Sequence, residues 1–246
     1  MRPRPAGFVP RTVALLDDIE RRLALHIENI RHLDSAGYRR RLPSGGYCWQ
    51  PGVIEWTQRA FDVAITGEGF FKLKRHDGTS AYTRHGHLLL DASGRLTAPS
   101  GEPIATGFVI PQNTIAIGIG EDGTVSVSTT DAPDGPRDLG RLTLTRFPNP
   151  DGLRAISPTT FVATAAAGES IEGNPGENGL GEVQQNFLER SNVERTPELV
   201  AIHELTQRWR WISQVVGVDA GVQLDPPGIA KFELERSLTD AAVERR

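Results

Sequence analysis

Phe61-Asp62-Val63-Ala64-Ile65-Thr66-Gly67-Glu68-Gly69-Phe70-Phe71-Lys72-Leu73-Lys74 is the stretch on which the fold turns. Phe61–Ile65 and Phe70–Lys74 are short runs rich in apolar, β-favouring side chains, and such runs read as strands. Between them Gly67 and Gly69 read as structural turn residues, because glycine enters positive φ without a steric penalty. Further turn signals stand at Asp77-Gly78, Asp91-Ala92-Ser93-Gly94, Asp122-Gly123 and Asp134-Gly135. Leu88–Leu90, Ile115–Ile119, Thr124–Val127 and Leu142–Thr145 fit strands between those turns. Residues 168–181, rich in Gly, Asn and Glu, read as a surface loop. The middle of the chain is therefore expected to be a β-rich body of short hairpins.

Moving outward, the hydrophobic period changes. Residues 1–10 carry three prolines, Pro3, Pro5 and Pro10, and are expected to be irregular. From Arg11 the pattern is helical: Leu16, Leu23 and Ile30 recur every seven residues, with Ile19, His26 and Leu33 three further on. These are a and d positions of a heptad. The helix should end near Asp34-Ser35-Ala36-Gly37, with Gly37 at positive φ. Near the other end, Thr196-Pro197-Glu198 reads as a helix start, and Ile202, Leu205, Trp209, Ile212 and Val216 then follow at 3-4-3-4 spacing. The expected fold class is mainly β, a body bracketed by N- and C-terminal helices that pair as a coiled coil. The expected division is a helical segment over 1–45, the β-rich body over 46–189, and a C-terminal helical segment and tail over 190–246.

Composition narrows the function classes. The 246 residues carry 27 Lys and Arg against 31 Asp and Glu, a net charge of -4. That balance gives no general reason to bind nucleic acid or an anionic membrane. No apolar run approaches the ~18 residues of a membrane span. Met1-Arg2-Pro3-Arg4-Pro5 has the charge of a signal peptide, but an amphipathic segment with Asp17, Asp18 and Glu20 follows, so a cleaved signal is not expected. Cys48 is the single cysteine, which excludes a disulfide within the chain.

The search for chemistry returns little. His85 and His87 flank Gly86, and on a strand i and i+2 face the same way, so two imidazoles there could share a metal, with Asp91 as the nearest acid. Exposed histidines on a hairpin are the plainer reading, and a metal-binding β-domain using His85 and His87 stands as the alternative of another class. Gly67-Glu68-Gly69 opens a strand rather than a helix and lacks a third glycine, so it does not read as a phosphate loop. Ser157 and Ser191 have no nucleophile-elbow context. Arg39-Arg40-Arg41 reads as a solvated turn. No catalytic, cofactor-binding or metal residue is assigned, and no enzyme activity is expected.

The joints between the helices and the body carry a resemblance. Glu28-Asn29-Ile30-Arg31-His32-Leu33-Asp34-Ser35-Ala36-Gly37-Tyr38-Arg39-Arg40 resembles the element that follows the first helix in the flagellar rod and hook proteins. Phe61 through Phe71 is similar to that family's Leu-Asp-Leu-Ala-Ile-x-Gly-x-Gly-Phe-Phe signature. Tyr82-Thr83-Arg84-His85-Gly86, Leu90 through Leu96, Leu139 through Leu142, Phe147 through Leu153, Gly179-Leu180-Gly181 and Leu188-Glu189-Arg190-Ser191-Asn192-Val193 continue the likeness in order. The chain departs from it at Glu28, Arg31 and His32, where the family usually has asparagine and alanine. A milder departure is Asn186, where glycine is frequent and where Asn tolerates left-handed φ.

What the resemblance implies is a structural subunit of the bacterial flagellar basal-body rod, the distal rod type nearest. Such subunits polymerise into the tubular shaft between motor and hook, crossing the periplasm. The partners it implies are further copies, other rod and hook subunits, and the flagellar type III export apparatus, which takes chains without a cleaved signal peptide. A proximal rod protein or a divergent paralogue that does not polymerise is the alternative within the family. The residues expected at assembly interfaces are Leu16, Leu23, Asn29, Ile30, Gly37, Tyr38, Ser191, Asn192, Val193, Ile202, Leu205, Trp209, Ile212 and Val216. Gly37 is expected to let the chain leave the first helix, and Ser191-Asn192 to hydrogen-bond local backbone before the last one.

Overall fold

The computed structural model describes residues 8–131 and 135–216. Asp134 and the tail beyond Val216 lie outside the described residues. The chain divides into two compact units. Among the described residues, one is drawn from 8–31, 41–45 and 193–216, the other from 32–40, 46–131 and 135–192.

The helical unit holds α1, Phe8–Arg31, and α2, Arg195–Val216. Helix α1 begins before Arg11, because Pro10 falls in its first turn, where a backbone N–H has no intrahelical partner to lose. It stops at Arg31, and a turn carries the chain through His32 to Asp34. Helix α2 has Pro197 and Glu198 in its first turn. Ile19, Leu23, Ile27, Ile202, Trp209 and Ile212 form one buried cluster, with Leu16, Ile30 and Leu205 packed partly against it.

This packing overturns the expected coiled coil. A coiled coil needs a 3.5-residue seam on both helices. On α1 the fully buried row is Ile19, Leu23 and Ile27, a spacing of four, which is the ridge of ordinary globular helix packing. Leu16, Ile30 and Leu33 of the proposed heptad are only half-buried. His26, a further heptad position, carries a polar contact instead: its Nδ1 lies 2.6 Å from Glu198 Oε2. The Trp209 indole N–H donates to Glu20 Oε1 at 3.2 Å, so α2 also places a polar edge in the contact. Val216 closes α2, and its side chain lies outside the described residues.

The β unit contains, in chain order, β1 Ile54–Trp56, β2 Val63–Thr66, β3 Phe70–Lys74, β4 Ser80–Thr83, β5 Leu89–Leu90, β6 Leu96–Thr97, β7 Thr114–Ile119 and β8 Thr124–Thr129. There follow β9 Arg137–Arg141, β10 Leu144–Arg146, β11 Leu153–Ser157, β12 Thr160–Ala163, β13 Ile171–Gly173, β14 Glu182–Gln185 and β15 Phe187–Glu189. Six strands form the main antiparallel sheet, in the order β11-β12-β4-β3-β10-β13. A three-stranded sheet β7-β8-β9 and the pairs β14-β2, β1-β15 and β5-β6 complete the unit.

Period two explains why this sheet is covered on both faces. Along β3, Phe71 and Leu73 enter one core with Val63, Ile65, Leu88, Leu144 and Val183. Phe70 points the other way, into an aromatic cluster with Tyr82, Phe147 and Phe161, flanked by Tyr47 and Trp49. Burial of both phenylalanines therefore needs two layers, which the strand pattern alone does not supply. The loop expected over 168–181 contains β13, paired to β10 through Leu144–Gly173 and Arg146–Ile171, because backbone pairing tolerates polar side chains on an edge strand. Among the described residues no helix is long and apolar enough to cross a membrane.

Candidate functional site

Three charged residues, far apart in sequence, meet inside the β unit. Glu189 ends β15, Arg39 lies in the His32–Arg40 segment of the unit, and Arg84 follows β4; their relative exposures are 1%, 1% and 5%. Arg39 Nη2 donates to Glu189 Oε1 at 2.6 Å, and Arg84 Nε donates to Glu189 Oε2 at 2.6 Å. The Gly52 N–H also donates to Glu189 Oε1, at 2.9 Å. Arg84 spends its remaining donors on the glycine turn: Nη1 on the Gly67 and Gly69 carbonyls at 2.9 and 2.7 Å, Nη2 on the Ile65 carbonyl at 2.8 Å. One guanidinium thus holds the turn whose glycines the sequence singles out. Gly67 and Gly69 have φ of 114° and 131°.

Burial is the main influence on Arg84 and lowers its pKa; the positive charge of Arg39 adds to the lowering, while Glu189 opposes it. A guanidinium starts so far above neutrality that Arg84 stays charged. The cluster therefore reads as two buried cations around one buried carboxylate. Arg39 corrects the solvated-turn reading of Arg39-Arg40-Arg41. The sequence missed it because a run of arginines looks the same whether it faces water or a carboxylate 150 positions away. The available signal was that Arg84 and Glu189 each sit inside a recognised motif beside residues that strand pairing buries.

Asn192 forms the second element. Its Oδ1 accepts the Arg40 N–H at 2.6 Å, and its Nδ2 donates to the carbonyls of Cys48 and Gln50, both at 2.7 Å. The sequence suggested local partners, but these lie 142 to 152 positions back, and the amide reinforces a backbone bond already made between them, from the Cys48 N–H to the Arg40 carbonyl at 2.8 Å. Asn192→Ala removes three hydrogen bonds, each worth ~1 kcal/mol net. Urea unfolding should show a loss of about 2–3 kcal/mol, and an unchanged midpoint would mean that water replaces the amide.

Gly37, at φ 67°, donates its N–H to the Glu189 carbonyl at 2.8 Å. Tyr38 is buried to 1% and stacks on His32 with ring centroids 4.7 Å apart. Ser191 and Val193 are buried beside Asn192. In the helical unit Asn29 is fully buried. Its Oδ1 accepts the Arg41 N–H at 2.9 Å, and its Nδ2 donates to the Arg41 carbonyl at 3.0 Å and to Glu198 Oε2 at 3.1 Å. Asn186 takes the left-handed conformation at φ 67°.

The histidines do not converge as a metal site. His87 Nδ1 lies 2.7 Å from Asp62 Oδ1, while Asp91 is occupied with its own turn and with Arg95 at 2.7 Å. His85 and His87 are half-buried, not exposed, with ring centroids 6.3 Å apart. Burial, then the neighbouring His87, lowers the His85 pKa, which favours the neutral ring. Among the described residues no group of three or more His, Cys, Asp or Glu could hold a metal ion.

The arrangement is one of clamps and buried charge. Residues 64–127 match the family described as flagellar hook protein FlgE/F/G D1 domain. Over that stretch the chain is similar to the flagellar hook and rod family. Within it the likeness is to rod proteins of the FlgG type. It is 36% identical to the flagellar basal-body rod protein FlgG of Borreliella burgdorferi, over 69% of this chain and 64% of that one. It is 41% identical to the FlgG of Buchnera aphidicola subsp. Schizaphis graminum, over 65% and 61% respectively. With the FlgG of Caulobacter vibrioides it shares 32% identity, over 68% and 63%. The chain thus spans just under two thirds of the length of these relatives.

Proposed function

We propose that this chain is a structural subunit of the bacterial flagellar basal-body rod, located in the basal body and built into a polymer with further copies and with other rod and hook subunits. The observation that carries this reading is the similarity to FlgG rod proteins across about two thirds of the chain. The site supports it. Asn192, Glu189 and Gly37 tie the segments at the two joints of the body together, which suits a part that must transmit force without shearing. A role without catalysis, and passage through the flagellar type III export apparatus, belong to the same reading.

The test is a deletion strain of the source bacterium. Loss of motility with rod assembly arrested, restored by the gene, is the expected outcome, and purified basal bodies should contain the chain. Intact rods without it would overturn the reading. A point variant refines the test. Leu205 packs half-buried against the helix cluster, and Leu205→Asp places a carboxylate beside apolar side chains. Complementation with this variant should fail to restore rods, while circular dichroism of the purified variant keeps the β signal. Normal rods would remove the helix pair from the assembly surface.

A further inference from the structure

Strand β2 pairs with β14 on one side. Its other side is closed by residues 85–88. The Val63 N–H donates to the Gly86 carbonyl and the Leu88 N–H to the Phe61 carbonyl, each at 2.9 Å, around an antiparallel bridge between Asp62 and His87. The fit is close: a Cβ on Gly86 would overlap the Val63 carbonyl oxygen, so the strap needs glycine at its centre. Two imidazoles flank that glycine. His85 Nδ1 accepts the His87 N–H at 3.4 Å, so that nitrogen carries no proton. His87 Nδ1 lies 2.7 Å from Asp62 Oδ1. Asp62 is buried, and its Oδ2 has no hydrogen-bond partner among the described residues.

We propose that residues 85–88 form a proton-sensitive strap, closed on the edge of β2 while His85 is neutral and released when His85 takes up a proton. A proton on His85 Nδ1 turns the acceptor of the His87 N–H into a second donor. It also makes His85 a cation beside His87, with ring centroids 6.3 Å apart and the Asp62 carboxylate shared between them. The other groups about His85 add cations or engaged acids. Toward β2, Arg59 Nε stands 3.7 Å from Asp62 Oδ1. Before it in the chain, Arg84 is bonded to Glu189. Gly37 packs on the backbone of Arg84 and His85. The same segment carries His32, stacked on Tyr38, and Arg39. Arg39 Nη2 is bonded to Glu189, and its Nε and Nη1 are buried without a partner among the described residues. Burial, then His87, lowers the His85 pKa from its ordinary value of 6.5. Folded protein therefore binds this proton more weakly than the unfolded chain. The stability contributed by the closed strap is present above that ordinary value and declines as the pH falls below it.

Amide hydrogen exchange of the full chain is the test. Protection of the Val63 and Leu88 N–H groups, corrected for the intrinsic pH dependence of exchange, is compared from about pH 8 to about pH 5, the span in which imidazoles titrate. Protection at both is expected to fall about tenfold toward the acid end, while amides within the β3–β4 pair hold theirs. His85→Asn separates the proton from the hydrogen bond. Asparagine accepts the N–H two residues on, as in an Asx turn, and does not titrate. The variant should keep the strap protected at the alkaline end and lose most of the acid effect. A second readout needs no variant to fold: the His85 ring protons of the wild-type chain, followed by NMR, should titrate with a midpoint below 6.5. An equal acid loss in His85→Asn, a fall shared by the β3–β4 amides, or a His85 midpoint at or above 6.5 would overturn the proposal.

Discussion

Glu189→Gln is expected to lower the stability of the β unit by about 3–5 kcal/mol, the range for removing one partner of a buried ion pair. The wild-type carboxylate accepts from Arg39, Arg84 and the Gly52 N–H at 2.6, 2.6 and 2.9 Å. Glutamine keeps the shape but loses the charge, and its amide N–H₂ then faces one of the guanidinium groups, donor against donor. Two buried cations remain with no counter-charge between them. The loss extends to the glycine turn, because Arg84 holds the Gly67 and Gly69 carbonyls from its place in the same cluster. Arg39→Met should cost less than Glu189→Gln, since it leaves one cation against one anion and removes the two unpartnered donors. Urea denaturation of the three proteins measures this order. A loss under about 1 kcal/mol for Glu189→Gln would show that the cluster is screened by water.

Gly37→Ala is expected to be nearly as severe. A Cβ at that position would lie 2.5 Å from Arg84 C and 2.5 Å from His85 N, both backbone atoms that cannot swing aside. Left-handed φ alone costs an L-residue roughly 1–2 kcal/mol, and forced displacement of packed backbone adds about 1–3 kcal/mol. The Gly37 N–H bond to the Glu189 carbonyl would stretch with the displacement. A thermal melt should therefore drop by several degrees, and the same variant should assemble poorly in complementation. A melt within a degree of wild type would mean that the turn relaxes freely and that glycine is not required there.

Much of the β architecture was legible because its signals are local. The Thr66-Gly67-Glu68-Gly69 turn and the strand Phe70–Lys74 need only glycine permissiveness and strand composition to be read. Asn186 at φ 67° follows from the tolerance of asparagine for left-handed backbone. The edge strand β13 escaped notice because Ile171-Glu172-Gly173 has neither alternation nor β-rich composition, and only its pairing to β10 makes it a strand. The helix seam was misread for a related reason. Heptad positions Leu16, Leu23 and Ile30 are present, yet burial follows Ile19, Leu23 and Ile27. Where a helix turns its face depends on the partner it meets, and His26 with Asn29 directs one end of that face to Glu198.

Sequence by itself determined the period of each segment, the glycines of the turns, the single cysteine and the acidic balance, all properties of a residue and its near neighbours. The ordered motifs of the rod and hook family belong to the same level. Only the tertiary structure decided that Arg39 is buried, that Glu189 joins it to Arg84, and that Asn192 bonds to the chain at Arg40, Cys48 and Gln50. The physical reason is that the free energy of a charge or an amide depends on its distance from water and from its counterpart. Residues 39, 84, 189 and 192 acquire those distances only when strands from both ends of the body are brought together.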